Sequence, residues 1–97
     1  MSITIQYAAR VVDDIQLAFE YYYTQQNAPQ AAEKFLDDIE DTLGAIRRNP
    51  YTFSIRYNDI RCAVLKTFPY LIHYQIQENS NTILIIAVAN THQKPLW

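Results

Sequence analysis

The side chains able to do chemistry are few and widely spaced. Cys62 is the only cysteine, so neither an internal disulfide nor a thiolate metal cage is available. His73 and His92 stand nineteen residues apart, and neither has a cysteine or carboxylate at a usual ligand spacing. A metal would need ligands gathered from distant positions, and none is expected. Gly44 is the single glycine, which excludes the glycine-rich loops that cradle phosphates, and no H-x-x-x-H or G-x-S-x-G pattern occurs. No cofactor is therefore expected. Asp37, Asp38, Glu40 and Asp41 crowd together, but at helical spacing they spread around a polar side and read as a solvated face. The guanidinium of Arg61 suits a carboxylate partner and a phosphate equally. Tyr21, Tyr22 and Tyr23 cannot all face one core from a helix, so at least one ring is exposed, where aromatic side chains serve as interface anchors.

The elements that position these groups follow from apolar spacing. Residues 2–7 alternate, with Ile3, Ile5 and Tyr7 on one side, as in a short strand suited to a sheet edge. Over residues 8–26, Val11, Ile15, Ala18 and Tyr22 recur at helical spacing, while Leu17 and Tyr21 make a second, smaller apolar patch. Pro29 suits the first turn of a second helix, in which Ala32, Phe35, Ile39, Leu43 and Ile46 form the stripe. Arg47 and Arg48 complement its C-terminal dipole before Asn49-Pro50 stops it. So short a connection implies an antiparallel helical hairpin with one shared apolar face.

Residues 51–57 and 60–68 read as a β-hairpin around Asn58-Asp59. In residues 70–77, Tyr70, Ile72, Tyr74 and Ile76 share the face toward the helices. A loop at 78–81 leads to residues 82–89, which lack alternation and read as a central strand covered on both faces. The expected fold class is α+β: an N-terminal strand, then an antiparallel helical hairpin packed on one face of a four- to five-stranded antiparallel sheet, with residues 1–97 as one domain.

Composition agrees. With 49% hydrophobic and 19% charged residues the chain is globular, and its longest apolar run, residues 83–89, is far short of a bilayer span. No membrane partner is expected, and the N-terminus has no export pattern, so the expected location is the cytoplasm. The net charge of −2 argues against affinity built on neutralising many phosphates. Its distribution is uneven. Four cations against eight carboxylates leave residues 1–50 at −4, and four against two leave the remainder at +2.

The C-terminal half combines Arg61, the run Lys66-Thr67-Phe68-Pro69-Tyr70, Ile72 and Tyr74, the apolar run 83–88 and the ending His92-Gln93-Lys94-Pro95-Leu96-Trp97. With the junction Asn27-Ala28-Pro29-Gln30-Ala31-Ala32, this pattern resembles the RelE/ParE superfamily of bacterial toxins over nearly the whole chain. The resemblance implies the toxin of a type II toxin–antitoxin module, neutralised by a cognate antitoxin encoded next to it, as a homodimer or a toxin–antitoxin hetero-oligomer. Two targets follow. ParE-like members bind DNA gyrase and are not hydrolytic, whereas RelE-like members cleave messenger RNA on the ribosome. In the nuclease reading His92 is the general acid and Arg61 the phosphate clamp, with Lys66 or Tyr74 auxiliary; a general base is missing. In the binding reading Arg61, Lys66, Tyr74, His92, Lys94, Trp97 and Tyr23 contact target or antitoxin. The few cations and the missing base favour the ParE-like reading. Asn90 and the short tail leave a third, an inactive relative that only binds a partner. Each active reading requires Arg61 and the C-terminal stretch to meet on one surface.

Overall fold

The computed structural model describes residues 3–92. Strand β1 (Thr4–Tyr7) leads to helix α1 (Arg10–Glu20), a π-helical turn (Tyr21–Gln25) and helix α2 (Pro29–Arg48). Strands β2 (Ile55–Tyr57), β3 (Ile60–Val64) and β4 (Tyr70–Gln77) follow, then a 3₁₀ turn (Glu78–Ser80) and strand β5 (Thr82–Asn90).

The first helix extends as far as its spacing indicates, but its last turn is wound wider. Gln26 N–H donates to the Tyr21 carbonyl, five residues back, at 2.9 Å. This turns Tyr22 inward and leaves Tyr21 and Tyr23 exposed. Asn27 then takes a left-handed conformation, φ 48°, and Pro29 opens α2 at a position where its missing N–H costs nothing.

The sheet has the order β1-β5-β4-β3-β2. It is mixed, not wholly antiparallel: β1 runs parallel to β5, pairing Thr4–Tyr7 with Thr82–Ile85, while all other pairs are antiparallel. A parallel pair needs a long crossover, and the whole intervening chain supplies it. As its length suggested, β1 lies at an edge, and β5 is an interior strand between β1 and β4.

The missing alternation of β5 has a local cause. His73 pairs with Ala87 and Tyr74 with Ile85, so Ile86 is an extra residue, a β-bulge. The bulge shifts the parity: Ile83, Ile85 and Val88 face the helices, whereas Ala87 and Ala89 join His73 and Leu71 on the other face. Two strands are shorter than expected. Residues 51–54 form turns before β2, and β3 stops at Val64: Leu65 N–H still donates to the Tyr70 carbonyl, but the N–H groups of residues 66–68 turn toward a side chain on α2.

The core lies between the helices and the sheet. Phe35, Ile39 and Ile46 of α2 and Val11 and Ala18 of α1 pack on Ala63, Ile72, Tyr74, Ile83 and Ile85. Phe35 is its aromatic hub, with ring centroids of Tyr70, Phe68 and Tyr22 at 5.1, 5.6 and 5.9 Å.

Candidate functional site

Arg61 pairs across the strands with Tyr74, on the face that looks toward the helices. Its guanidinium donates to the Phe53 carbonyl at 2.7 Å and reaches the Tyr51 carbonyl at 3.5 Å. The same group lies 5.2 Å from the centroid of the Tyr51 ring. The Tyr74 hydroxyl donates to the Pro50 carbonyl at 2.6 Å, and burial pushes its phenol up to about 12, against the opposing pull of Arg61. Tyr51 completes the cluster by donating to Glu78 at 3.1 Å. Two residues of adjacent strands thus fasten the connection between α2 and β2. Arg61 is a brace, and the fully enclosed Tyr74 presents no surface to a partner.

His92 lies at the opposite end of the sheet. It follows Asn90, which pairs with Tyr70, and its N–H donates to the Asn90 side chain at 2.7 Å. Arg61 is level with Tyr74, four residues along β4 from Tyr70, and His92 lies two beyond Asn90. At ~3.3 Å per residue the step from Tyr74 to Tyr70 is about 13 Å along β4, and His92 lies in the turn past Asn90. One phosphate cannot touch both. The register therefore sets Arg61 and His92 apart, against the expectation that they meet, while residues 93–97 of the C-terminal stretch lie outside the described residues. Lys94 and Trp97 lie outside the described residues.

Lys66 is exposed and, with Arg47 and Arg48, lines a cleft of about 800 Å³ beside the C-terminal half of α2. Its backbone belongs to a different construction. The N–H groups of Lys66, Thr67 and Phe68 converge on the carboxylate of Asp38 at 3.2, 2.9 and 3.2 Å. Asp38 is buried and ties the β3–β4 connection to α2, so it does not belong to a solvated face. Its position signals this: it falls three after Phe35 and four before Thr42, on the border of the buried stripe. Tyr23 is exposed, its ring stacked at 5.6 Å on Phe19.

On the sheet's other face Cys62, His73 and Ala87 form a buried row. The Tyr57 hydroxyl and the Cys62 sulfur approach His73 Nδ1 at 3.1 and 3.3 Å. Burial lowers the pKa of His73, helped by Arg10 and Arg56, and burial raises that of the Cys62 thiol. Both shifts favour the neutral pair, so this is no thiolate–imidazolium nucleophile. Among the described residues there is no cluster of three or more histidines, cysteines or carboxylates that could hold a metal. Nor is any described helix long and apolar enough to cross a membrane.

Two helices on one side of a five-stranded mixed sheet, with the first strand parallel to the last, define the architecture of the RelE/ParE type. The chain is similar in structure to a chain of the chromosomal ParDE toxin–antitoxin system of P. aeruginosa, with a TM-score of 0.78 at 13% identity over 93% of this chain and 97% of that one. It also resembles a chain of the intact E. coli RelBE toxin–antitoxin complex, at 0.65 with 13% identity over 95% and 100%. The isolated E. coli RelE toxin gives 0.64, with 12% identity over 98% and 90%. At these identities the likeness is one of fold. No curated protein matches the chain in sequence. The family described as the ParE toxin of the type II toxin–antitoxin system parDE matches residues 5–95, and the chain belongs to it.

Proposed function

We propose that this protein arrests growth by binding DNA gyrase, without hydrolytic chemistry of its own, and that a cognate antitoxin holds it inactive in the cytoplasm. One observation carries the choice of target. RNA cleavage needs a cation, an acid and a base at a single phosphate, yet Arg61 is committed to the Phe53 carbonyl and stands far from His92. Membership of the ParE family supports the same choice. Lys66, His92 and Tyr23, with Lys94 and Trp97 of the tail, remain the proposed contacts with target or antitoxin.

Purified toxin should inhibit gyrase supercoiling, and adding the antitoxin should restore it. Unaffected supercoiling at saturating toxin would remove gyrase as the target. Ribosome-bound message cut by the wild type but not by His92→Ala would replace this reading with the nuclease.

A further inference from the structure

The outward side of the helical hairpin is covered by none of the described residues. On α1, Asp13, Gln16, Leu17 and Glu20 are exposed, as is Tyr21 at the start of the π-helical turn; on α2, Glu33, Leu36, Asp37 and Glu40 are. Leu17 is 67% exposed, and Tyr21 and Leu36 about two-fifths, 41% and 39%. A hollow of about 340 Å³ runs beside Leu17, bordered by Asp13, Gln16 and Glu20. Each exposed leucine stands between carboxylates one turn away along its own helix: Leu17 between Asp13 and Glu20, and Leu36 between Glu33 and Glu40.

These exposed carboxylates have no cationic partner among the described residues. Among the described residues the only ion pair is Arg10–Asp14, at 3.0 Å, and Asp38 is taken up by the β3–β4 connection. Glu20 accepts a hydrogen bond from Gln16. Asp13, Glu20, Glu33, Asp37, Glu40 and Asp41 stay ion-pair-free, while Lys34 is the one cation on the hairpin between Arg10 and the C-terminal Arg47 and Arg48. Glu33, Asp37 and Asp41 succeed one another at four-residue spacing, where like charges weaken a helix. No ion pair among the described residues offsets that cost; a cationic partner would.

We propose that this face docks on a cationic protein surface of the kind that binds nucleic acid. The carboxylates stand in for backbone phosphates, accepting from Arg and Lys donors as phosphates do, and Leu17 and Leu36 fill apolar sockets between those donors. The proposal rests on the reading of gyrase as target, since an enzyme that handles DNA must present such a surface. It implies that toxin and duplex DNA compete, and that association is steered by charge and weakened by salt.

The test is the isosteric variant D13N/E20Q/E33Q/E40Q of the full chain, beside a charge-retaining control D13E/E20D/E33D/E40D. All four positions are exposed, so both variants should keep the wild-type circular dichroism and Tm. Inhibition of supercoiling should weaken about tenfold or more in the neutral variant and lose most of its salt dependence. The control should behave as wild type, and added linear duplex should relieve wild-type inhibition. A neutral variant that inhibits at the wild-type concentration with the wild-type salt dependence overturns the proposal. If the wild type leaves supercoiling untouched, the gyrase reading fails by itself, and growth arrest on induction then decides the face. Arrest undiminished by the four neutral substitutions overturns it; arrest lost in the folded neutral variant and kept in the control supports a different cationic target.

Discussion

Replacing Asp38 with alanine removes the acceptor of three backbone N–H groups at once. Those of Lys66, Thr67 and Phe68 sit 2.9 to 3.2 Å from its two oxygens. Each buried donor left unsatisfied costs about 1–3 kcal/mol. Lys66 and Thr67 are exposed enough for water to recover part of that, so the net loss should be about 2–4 kcal/mol, a large share of the ~5–15 kcal/mol available to a small domain. For a chain of this size the change corresponds to a fall in Tm of roughly 10–25 °C. Asp38→Asn keeps an acceptor and should lose about half as much. Asp37→Ala, one residue away on the exposed side, should stay within about 0.5 kcal/mol. Thermal melts of the three variants, with hydrogen exchange at residues 66–68, make the measurement. Equal, small shifts for Asp37→Ala and Asp38→Ala, with exchange at 66–68 unchanged, would refute the anchoring role.

Three further outcomes follow from the same geometry. His73 is held neutral in the fold, its pKa lowered from 6.5, so the unfolded chain binds the proton more readily. Stability should be complete above pH 6.5 and fall as the pH drops through the folded value, with urea midpoints declining from pH 7.5 to 5.5; His73→Asn should flatten that slope. Arg61→Met should cost about 1–3 kcal/mol by freeing the Phe53 carbonyl while leaving the activity of the folded fraction intact; lost activity at wild-type Tm would contradict its role as a brace. Phe35→Ala, which empties the centre of the aromatic cluster, should cost about 3–5 kcal/mol in chemical denaturation, and a loss below ~1 kcal/mol would show that the hub collapses without penalty.

The helical hairpin was legible because its stripe is local: Phe35, Ile39 and Ile46 lie on one side of one helix whatever they pack against. Strand order was not, because the parallel pairing of Thr4 with Thr82 depends on residues far apart in the chain. The bulge at Ile86 was invisible for a related reason, since an extra residue exists only relative to the strand opposite it. Among the chemical groups, Arg61 could be recognised as a planar donor but not as one already matched to carbonyls at 51 and 53, which come from a connection that looked like strand. Asp38 was hidden by its neighbours: Asp37, Glu40 and Asp41 are exposed, and only its angular position sets it apart.

The union of the first strand with the last also orders events during synthesis. Residues 4–7 emerge from the ribosome early but have no neighbour until residues 82–85 follow, whereas the helical hairpin and the β2–β4 meander can form from contiguous chain. The sheet is completed only after residues 82–85 have been made. A chain that stops before residue 82 therefore leaves β1 without its strand partner and the core without Ile83, Ile85 and Val88.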